Sequence, residues 1–142
     1  MKLRIKDDAV RFRITIKELE QLRAEGLLEK ETWVPGGKDG EPVVFVYVIA
    51  VGRELERSRF VMEPYVMRAE LSEKDFELLA SPEEEGVYIR REWTLPDGSA
   101  RRFMFFVEKD RPGSSCAKPE EWVYEEVIGQ QPATRRFPAN PG

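Results

Sequence analysis

Two stretches of the chain carry similar sequence signals in the same order, and this constrains the fold more than any other feature. Gly26 and Trp33 are separated by the same interval as Gly86 and Trp93. A helix start precedes each glycine, and an apolar strand pattern follows each tryptophan. Signals that recur in this way predict repeated structural units. We therefore predict an internal duplication that covers residues 2–51 and 59–109.

Each half has the pattern strand, strand, helix, strand, strand. In the first half, Asp7-Asp8 interrupts alternating apolar and charged residues, as in a two-residue hairpin turn. Thr15 then begins a helix that Gly26 ends. The chain is therefore predicted to be α+β, with a duplicated strand-strand-helix-strand-strand unit, eight mostly antiparallel strands in a sheet or barrel, and two helices.

A length of 142 residues indicates a single domain, 1–142. The repeat pattern stops near Asp110, so residues 110–142 are predicted to be a C-terminal extension. This short segment contains a linker that begins at Arg111. It also contains a segment from Pro119 to Gly129 that is interpreted as a short helix, with proline at its start and glycine after its end, or alternatively as a strand.

The composition excludes several classes of protein and site. A net charge of −4 argues against a general nucleic-acid binder. No apolar run is long enough to span a bilayer, and the N-terminus lacks the apolar region of a signal peptide. The single cysteine, Cys116, fits a reducing cytoplasm. Because the chain contains no histidine, histidine-activated nucleophiles and histidine-ligated metals are excluded.

The first hairpin presents a predicted basic face. In the register set by the Asp7-Asp8 turn, Lys2 lies opposite Arg13 and Arg4 lies opposite Arg11. Like charges directly across an antiparallel pair are destabilising, so an anion bound there would explain the pattern. These four residues form the candidate anion-binding site. The alternative is a structural patch whose charge nearby carboxylates neutralise.

Several other side chains have predicted structural roles. The opposite face of the first hairpin is expected to join the core, and the two repeat tryptophans are expected to close the ends of that core. The hairpin core residues are Leu3, Ile5, Val10 and Phe12. Glu108-Lys109-Asp110, at a strand end, is interpreted as a surface ion cluster. If the basic face is instead structural, the carboxylate that neutralises it is expected to come from a neighbouring strand, as Glu29, Glu31, Glu54 or Glu56.

The fourth and eighth strands are apolar on both faces. The fourth reads Val43 to Val51, and the eighth contains Phe103 to Phe106. Strands of this kind are covered on both sides, and two helices can cover only one side. The other cover is a closed barrel, the C-terminal segment or a second subunit. A homodimer is therefore one of three predicted arrangements.

Both ends of the chain resemble a family of small bacterial proteins known only as a domain of unknown function. The similar segments are Met1-Lys-Leu-Arg-Ile-Lys, Val10-Arg-Phe-Arg, Val107-Glu-Lys-Asp and the closing Pro138-Ala-Asn-Pro. The family implies no established activity, so the resemblance assigns no catalytic residues.

The chain is also similar to the CYTH-like triphosphate-tunnel proteins, which are duplicated eight-stranded barrels with a Glu-x-Glu-x-Lys signature on a strand. Glu54-Leu-Glu matches the two carboxylates, and Ser58 stands at the lysine position. The resemblance implies an anion- or triphosphate-binding protein, including a phosphohydrolase. In that alternative Glu54 and Glu56 would hold Mg²⁺.

The leading interpretation is a small cytoplasmic binding or interaction module without catalysis, cofactor or membrane association. The alternative is the CYTH-like anion-binding protein. An enzyme of that kind needs acidic metal ligands and basic phosphate ligands around one cavity, and a binding module does not.

Overall fold

The structure, a computed structural model, describes residues 1–110 and the backbone of 134–136. The candidate C-terminal helix, the linker that begins at Arg111 and Cys116 lie outside the described residues. The chain divides into two compact units. The first unit consists of Met1–Ile16 together with Glu77–Gly142, and the second consists of Lys17–Phe76. Neither unit coincides with a predicted repeat.

The order of the elements along the chain follows the prediction. The strands are β1 (Lys2–Lys6), β2 (Ala9–Ile14), β3 (Leu27–Val34), β4 (Val43–Gly52), β5 (Arg59–Glu63), β6 (Val66–Ser72), β7 (Gly86–Thr94), β8 (Ala100–Lys109) and β9 (Thr134–Arg136). The helices are α1 (Ile16–Glu25) and α2 (Glu73–Ala80). The α+β class is confirmed, with eight strands between residues 2 and 109.

The first unit contains a mixed sheet of order β1-β2-β8-β7-β9. The predicted register of the first hairpin is confirmed, with Lys2 opposite Arg13 and Arg4 opposite Arg11. Strand β2 also pairs in parallel with β8, and Arg13 lies beside Glu108. Strand β2 is therefore an interior strand, and both of its faces are largely buried.

The second unit contains a mixed sheet of order β3-β4-β6-β5. Its two hairpins meet through a parallel pairing of β4 with β6. Each sheet thus combines two antiparallel hairpins through one central parallel pair. The strands described here form two separate mixed sheets, so the predicted alternative of one closed barrel is wrong.

The end of α1 and the start of α2 have local causes. Gly26 ends α1 with a positive φ of 71°, and its N–H donates to the Leu22 carbonyl at 2.8 Å. At the start of α2, the Asp75 N–H donates to Ser72 Oγ at 3.2 Å. A left-handed glycine and an N-cap serine are the stop and start residues that such helices prefer.

The equal spacing that motivated the duplication marks different structural positions. Gly26 is a helix-terminating residue, whereas Gly86 is the first residue of β7. The Val51 N–H donates to the Gly26 carbonyl, and the corresponding Lys109 N–H donates to the Glu85 carbonyl, so Glu85 and not Gly86 stands in the place of Gly26. The matched sheet orders support a duplication, but these positions are not equivalent, and the duplication stays a prediction.

Burial corrects part of the predicted core. Val10 and Phe12 are buried as predicted, whereas Ile5 is 56% exposed because β1 is an edge strand. Trp33 and Trp93 are 62% and 47% exposed, so neither closes the core. No helix in the described part of the chain has the length and hydropathy needed to cross a membrane.

Candidate functional site

The first candidate site is the basic face of the β1–β2 hairpin, and its four cations have different surroundings. The Lys2 side chain is 71% exposed, and its Nζ lies 3.1 Å from Asp110 Oδ2. Arg4 is also exposed. In contrast, Arg11 is only 3% exposed, and the side chain of Arg13 is 21% exposed. The correct register therefore does not produce one open basic surface.

The carboxylate that neutralises this face is Glu108. Its Oε1 lies 2.8 Å from Arg11 Nε and 3.7 Å from Arg13 Nε. Glu108 is 5% exposed and Lys109 is 8% exposed, so the predicted surface ion cluster at 108–110 is wrong. The parallel pairing of β2 with β8 causes the difference, because it places the end of β8 beside Arg11 and Arg13.

Aromatic rings border this buried ion pair. The guanidinium carbon of Arg11 lies 5.9 Å from the Phe106 ring centroid, at cation–π distance. Tyr88 meets Phe106 edge-on, with 5.7 Å between the ring centroids. Gly86 lies opposite Glu108, where an added Cβ would be 2.8 Å from the Glu108 Cα. A larger residue at this position would therefore displace β8 at the ion pair.

The electrostatics of Glu108 combine two opposing effects. Burial raises the pKa of Glu108, and the nearby charges of Glu85 and Asp110 act in the same direction. Arg11 and Arg13 lower the pKa and partly offset the effect of burial. Buried charges with perturbed pKa values also occur at functional sites. Here Arg11 and Glu108 expose so little surface that a ligand could reach them only after a rearrangement.

This raised pKa leads to a prediction about stability and pH. The folded chain holds the Glu108 proton more tightly than the unfolded chain does. The contribution of Glu108 to the free energy of unfolding should therefore be largest below its ordinary pKa, and it should decrease as pH rises through the raised value. Urea denaturation of the wild type and Glu108→Gln, from about pH 4 to about pH 8, measures this dependence. The wild type should lose stability relative to the variant as pH rises, and a relative gain would contradict the prediction.

The two metal ligands that the CYTH-like alternative requires do not lie where that resemblance would place them. Glu54 and Glu56 lie in the connection between β4 and β5, where the resemblance requires a strand, and both are exposed. Ser58 is fully buried; its Oγ donates to Asp75 Oδ2 at 2.6 Å and accepts from the Ser72 N–H at 2.8 Å. Ser58 therefore supports the start of α2. Across the described ranges, no group of three or more acidic or thiol side chains could hold a metal ion.

The second sheet presents a different candidate surface, which we call the apolar end. It lies where β3 and β5 finish and β4 and β6 begin. Four of its side chains are strongly exposed: Trp33 (62%), Val34 (44%), Met62 (57%) and Tyr65 (61%). Its half-exposed residues are Val43, Val44, Phe45, Val46, Tyr47, Val66 and Met67. Large exposed apolar patches often mark interaction sites.

The doubly apolar pattern of β4 predicted part of this surface. The prediction of two covered faces holds for Val48 and Ile49, which are buried, but not for the half-exposed stretch from Val43 to Tyr47. Met62 and Tyr65 were missed, because the sequence of the β5–β6 hairpin does not show that β6 pairs with β4, and that pairing brings the turn of this hairpin to the exposed end of β4. The anion-binding prediction for Lys2, Arg4, Arg11 and Arg13 stays a prediction.

The chain was also compared with known proteins. No match was found among curated proteins or among solved structures. A family model matches residues 1–126, which is most of the chain, and its description is a family of unknown function. That match agrees with the resemblance seen at the N-terminus and in the Val107-Glu-Lys-Asp segment. The chain belongs to the family of unknown function DUF7009.

Proposed function

We propose that this protein is an interaction module without catalysis, and that its apolar end binds a second copy of the chain. The observation that carries the proposal is the exposure of this end. Trp33, Met62 and Tyr65 each leave more than half of their surface exposed, at 62%, 57% and 61%. Burying such side chains against a partner is favourable by about 25 cal/mol per Å² of apolar surface.

The chemistry of the apolar end fits a second copy. Five consecutive residues of β4, from Val43 to Tyr47, carry no charge. A two-fold interface places the same patch on both subunits, so a patch with one sign of charge would repel itself. The uncharged stretch of β4 avoids this repulsion. Three of its four strongly exposed side chains, Trp33, Met62 and Tyr65, are aromatic or methionine, and such side chains are enriched at interface cores.

The geometry of the sheet also favours association. Strands β3 and β5 are the edges of the β3-β4-β6-β5 sheet. Edge strands present backbone groups that can pair with another chain, and exposed apolar edges are prone to such pairing. Met62, on β5, and Trp33, on β3, place apolar side chains at the two edges. Trp33 shares a sheet face with Val44, and Met62 shares the other face with Met67 and Tyr47. A second copy that pairs along one of these edges can therefore cover the side chains and the backbone of that edge.

Met62→Lys tests this proposal, with Ile5→Lys as its matched control. Both residues lie on edge strands, and their exposures are 57% and 56%. The wild type should sediment as a dimer over a range of concentrations. Because a buried lysine at an interface lacks a partner for its charge, Met62→Lys should raise the dimer dissociation constant roughly tenfold or more.

The control should leave self-association unchanged, because Ile5 belongs to the other sheet. Thermal melting should show that both variants remain folded, since both sites are exposed. A wild type that is monomeric at every concentration would overturn the proposal. Equal weakening by Ile5→Lys would also overturn it, because the effect would then not belong to the apolar end.

A further inference from the structure

The second sheet has a cleft at the end opposite to the apolar end, where β4 and β6 finish and β3 and β5 begin. The volume of this cleft is about 360 Å³, which lies in the range of small-ligand sites. Its lining includes Ala50, Arg53, Glu54, Leu55, Arg59 and Glu70. Apolar and charged side chains therefore border the same cavity.

The strand pairing places three of these residues on one face of the sheet. Ala50 lies opposite Glu70 in the parallel pair of β4 with β6, and Glu70 lies opposite Arg59 in the antiparallel pair of β5 with β6. Side chains that lie opposite each other on paired strands point to the same face. Ala50, Glu70 and Arg59 thus form one row across three strands. Arg68 shares that face, because it precedes Glu70 by two positions.

A tight turn forms the other wall of the cleft. The Leu55 N–H donates to the Gly52 carbonyl at 3.1 Å, so Arg53 and Glu54 are the two central residues of this turn. A Cβ added to Gly52 would lie 2.7 Å from Leu55 Cδ1. Because Gly52 follows Ala50 by two positions on β4, that Cβ would point to the same face as Ala50. The Leu55 side chain therefore lies on the face that carries the row.

The charged side chains around the cleft have a net positive charge. Arg59 Nε donates to Glu70 Oε1, and Glu70 Oε2 lies 3.9 Å from Arg68 Nη1. One carboxylate thus faces two guanidinium groups, and the turn adds one further charge of each sign, from Arg53 and Glu54. Three arginines and two glutamates leave one positive charge. The Arg59 side chain is 59% exposed, so a ligand in the cleft can reach its guanidinium group.

We infer that this cleft binds a small organic monocarboxylate, with the carboxylate on Arg59 and an apolar tail on Ala50 and Leu55. A guanidinium group binds a carboxylate through two parallel hydrogen bonds. One net positive charge matches a monoanion, whereas the nearby carboxylates of Glu54 and Glu70 would repel the second charge of a phosphate dianion. The cleft and the apolar end lie at opposite ends of the strands, so the inference does not depend on self-association.

An NMR titration of amide signals in the full chain tests the inference with hexanoate as the probe. Hexanoate should shift the signals of residues 50–55, 59 and 70. It should bind roughly tenfold more tightly than acetate, because acetate lacks the tail that packs on Leu55. Hexanol, hexylamine and inorganic phosphate should each bind roughly tenfold or more weakly than hexanoate, since none of them combines a single negative charge with an apolar tail.

Arg59→Gln tests the carboxylate contact. This variant should weaken hexanoate binding roughly tenfold or more, because it removes a charge-assisted hydrogen bond. Arg57→Gln is the matched control, since it removes the same charge from an exposed arginine that does not line the cleft, and it should leave binding nearly unchanged. Thermal melting should show that both variants remain folded, because exposed ion pairs contribute little to stability.

Leu55→Ala tests the contact with the tail. It should lower the affinity for hexanoate towards that for acetate and leave acetate binding unchanged, because only hexanoate reaches this side chain. Val34→Ala shortens an exposed apolar residue at the apolar end and should change neither affinity. A purely structural role of Leu55 would not separate the two ligands in this way.

Three results would overturn the inference. The first is a hexanoate titration without shifts at the residues of the cleft. The second is equal weakening by Arg57→Gln and Arg59→Gln, which would assign the effect to the general charge of the surface. The third is binding of hexanol or phosphate as tight as that of hexanoate, which would mean that the cleft does not recognise a carboxylate with an apolar tail.

Discussion

Replacing Glu108 with leucine is expected to lower the free energy of unfolding by about 3–5 kcal/mol, because the change strands the buried charge of Arg11. The two side chains lie 2.8 Å apart and are 5% and 3% exposed, so water cannot replace the lost partner. Arg11→Met should have an effect of similar size, since it leaves the Glu108 carboxyl without its nearest cation. Urea denaturation at neutral pH measures both changes.

The double variant Arg11→Met/Glu108→Leu should be more stable than the sum of the two single effects predicts. Removing both charges removes the unpaired group, and contacting residues show coupling energies of about 0.5–3 kcal/mol. Arg13 remains 3.7 Å from the Glu108 position, so the compensation is not expected to be complete.

Lys2→Met, which removes the cation of an exposed ion pair, is the control for the Arg11 and Glu108 variants. The side chains of Lys2 and Asp110 are 71% and 21% exposed, and exposed pairs contribute only about 0–1 kcal/mol. Additive single effects in the double variant would show that Arg11 and Glu108 act independently, which would contradict the assignment of a buried pair.

Replacing Phe12 or Phe105 with alanine is expected to lower the free energy of unfolding by about 3–5 kcal/mol in each case, because both rings are fully buried and a cavity would remain. Phe12 lies beside Val107, and Phe105 lies beside Val10, on the paired strands β2 and β8. The two cavities would therefore open at the parallel pairing that joins the hairpins of the first sheet.

Ile5→Ala provides the matched comparison, because Ile5 is an apolar residue on the neighbouring strand that is 56% exposed. Ile5→Ala should change the free energy of unfolding by no more than about 0.5 kcal/mol. Equilibrium denaturation of the three variants gives the ranking. Similar effects for Ile5→Ala and Phe12→Ala would contradict the observed difference in burial between β1 and β2.

The register of the first hairpin could be predicted from sequence because its cause is local. Asp7 and Asp8 form a two-residue connection, and a connection of that length fixes which residues face each other. The ends of the helices have equally local causes. Gly26 adopts a positive φ, and the Ser72 side chain accepts the N–H of a residue three positions later. Neighbours in sequence determine such features before distant strands meet.

The environment of the basic face depended on contacts between distant parts of the chain. Ala9 pairs with Met104, and the hairpin pattern of β1 and β2 contains no information about that partner. A hairpin considered alone has a solvent-exposed face, so Arg11 was expected there. The sequence did contain one relevant signal: Glu108 directly continues the apolar run of β8, which is buried from Met104 to Val107. A carboxylate in that position needs a buried cation.

The sequence by itself determined the α+β class, the order of the elements and the pairing within the β1–β2 hairpin, because turn residues, caps and alternation act over a few positions. Only the tertiary structure decided that hairpins join through the parallel pairs β2–β8 and β4–β6. Those pairings made Arg11 a buried partner of Glu108 and left Trp33 and Met62 exposed at the edges of the second sheet. Strand partners far apart in sequence are selected by the packing of the whole unit, and no local pattern specifies them.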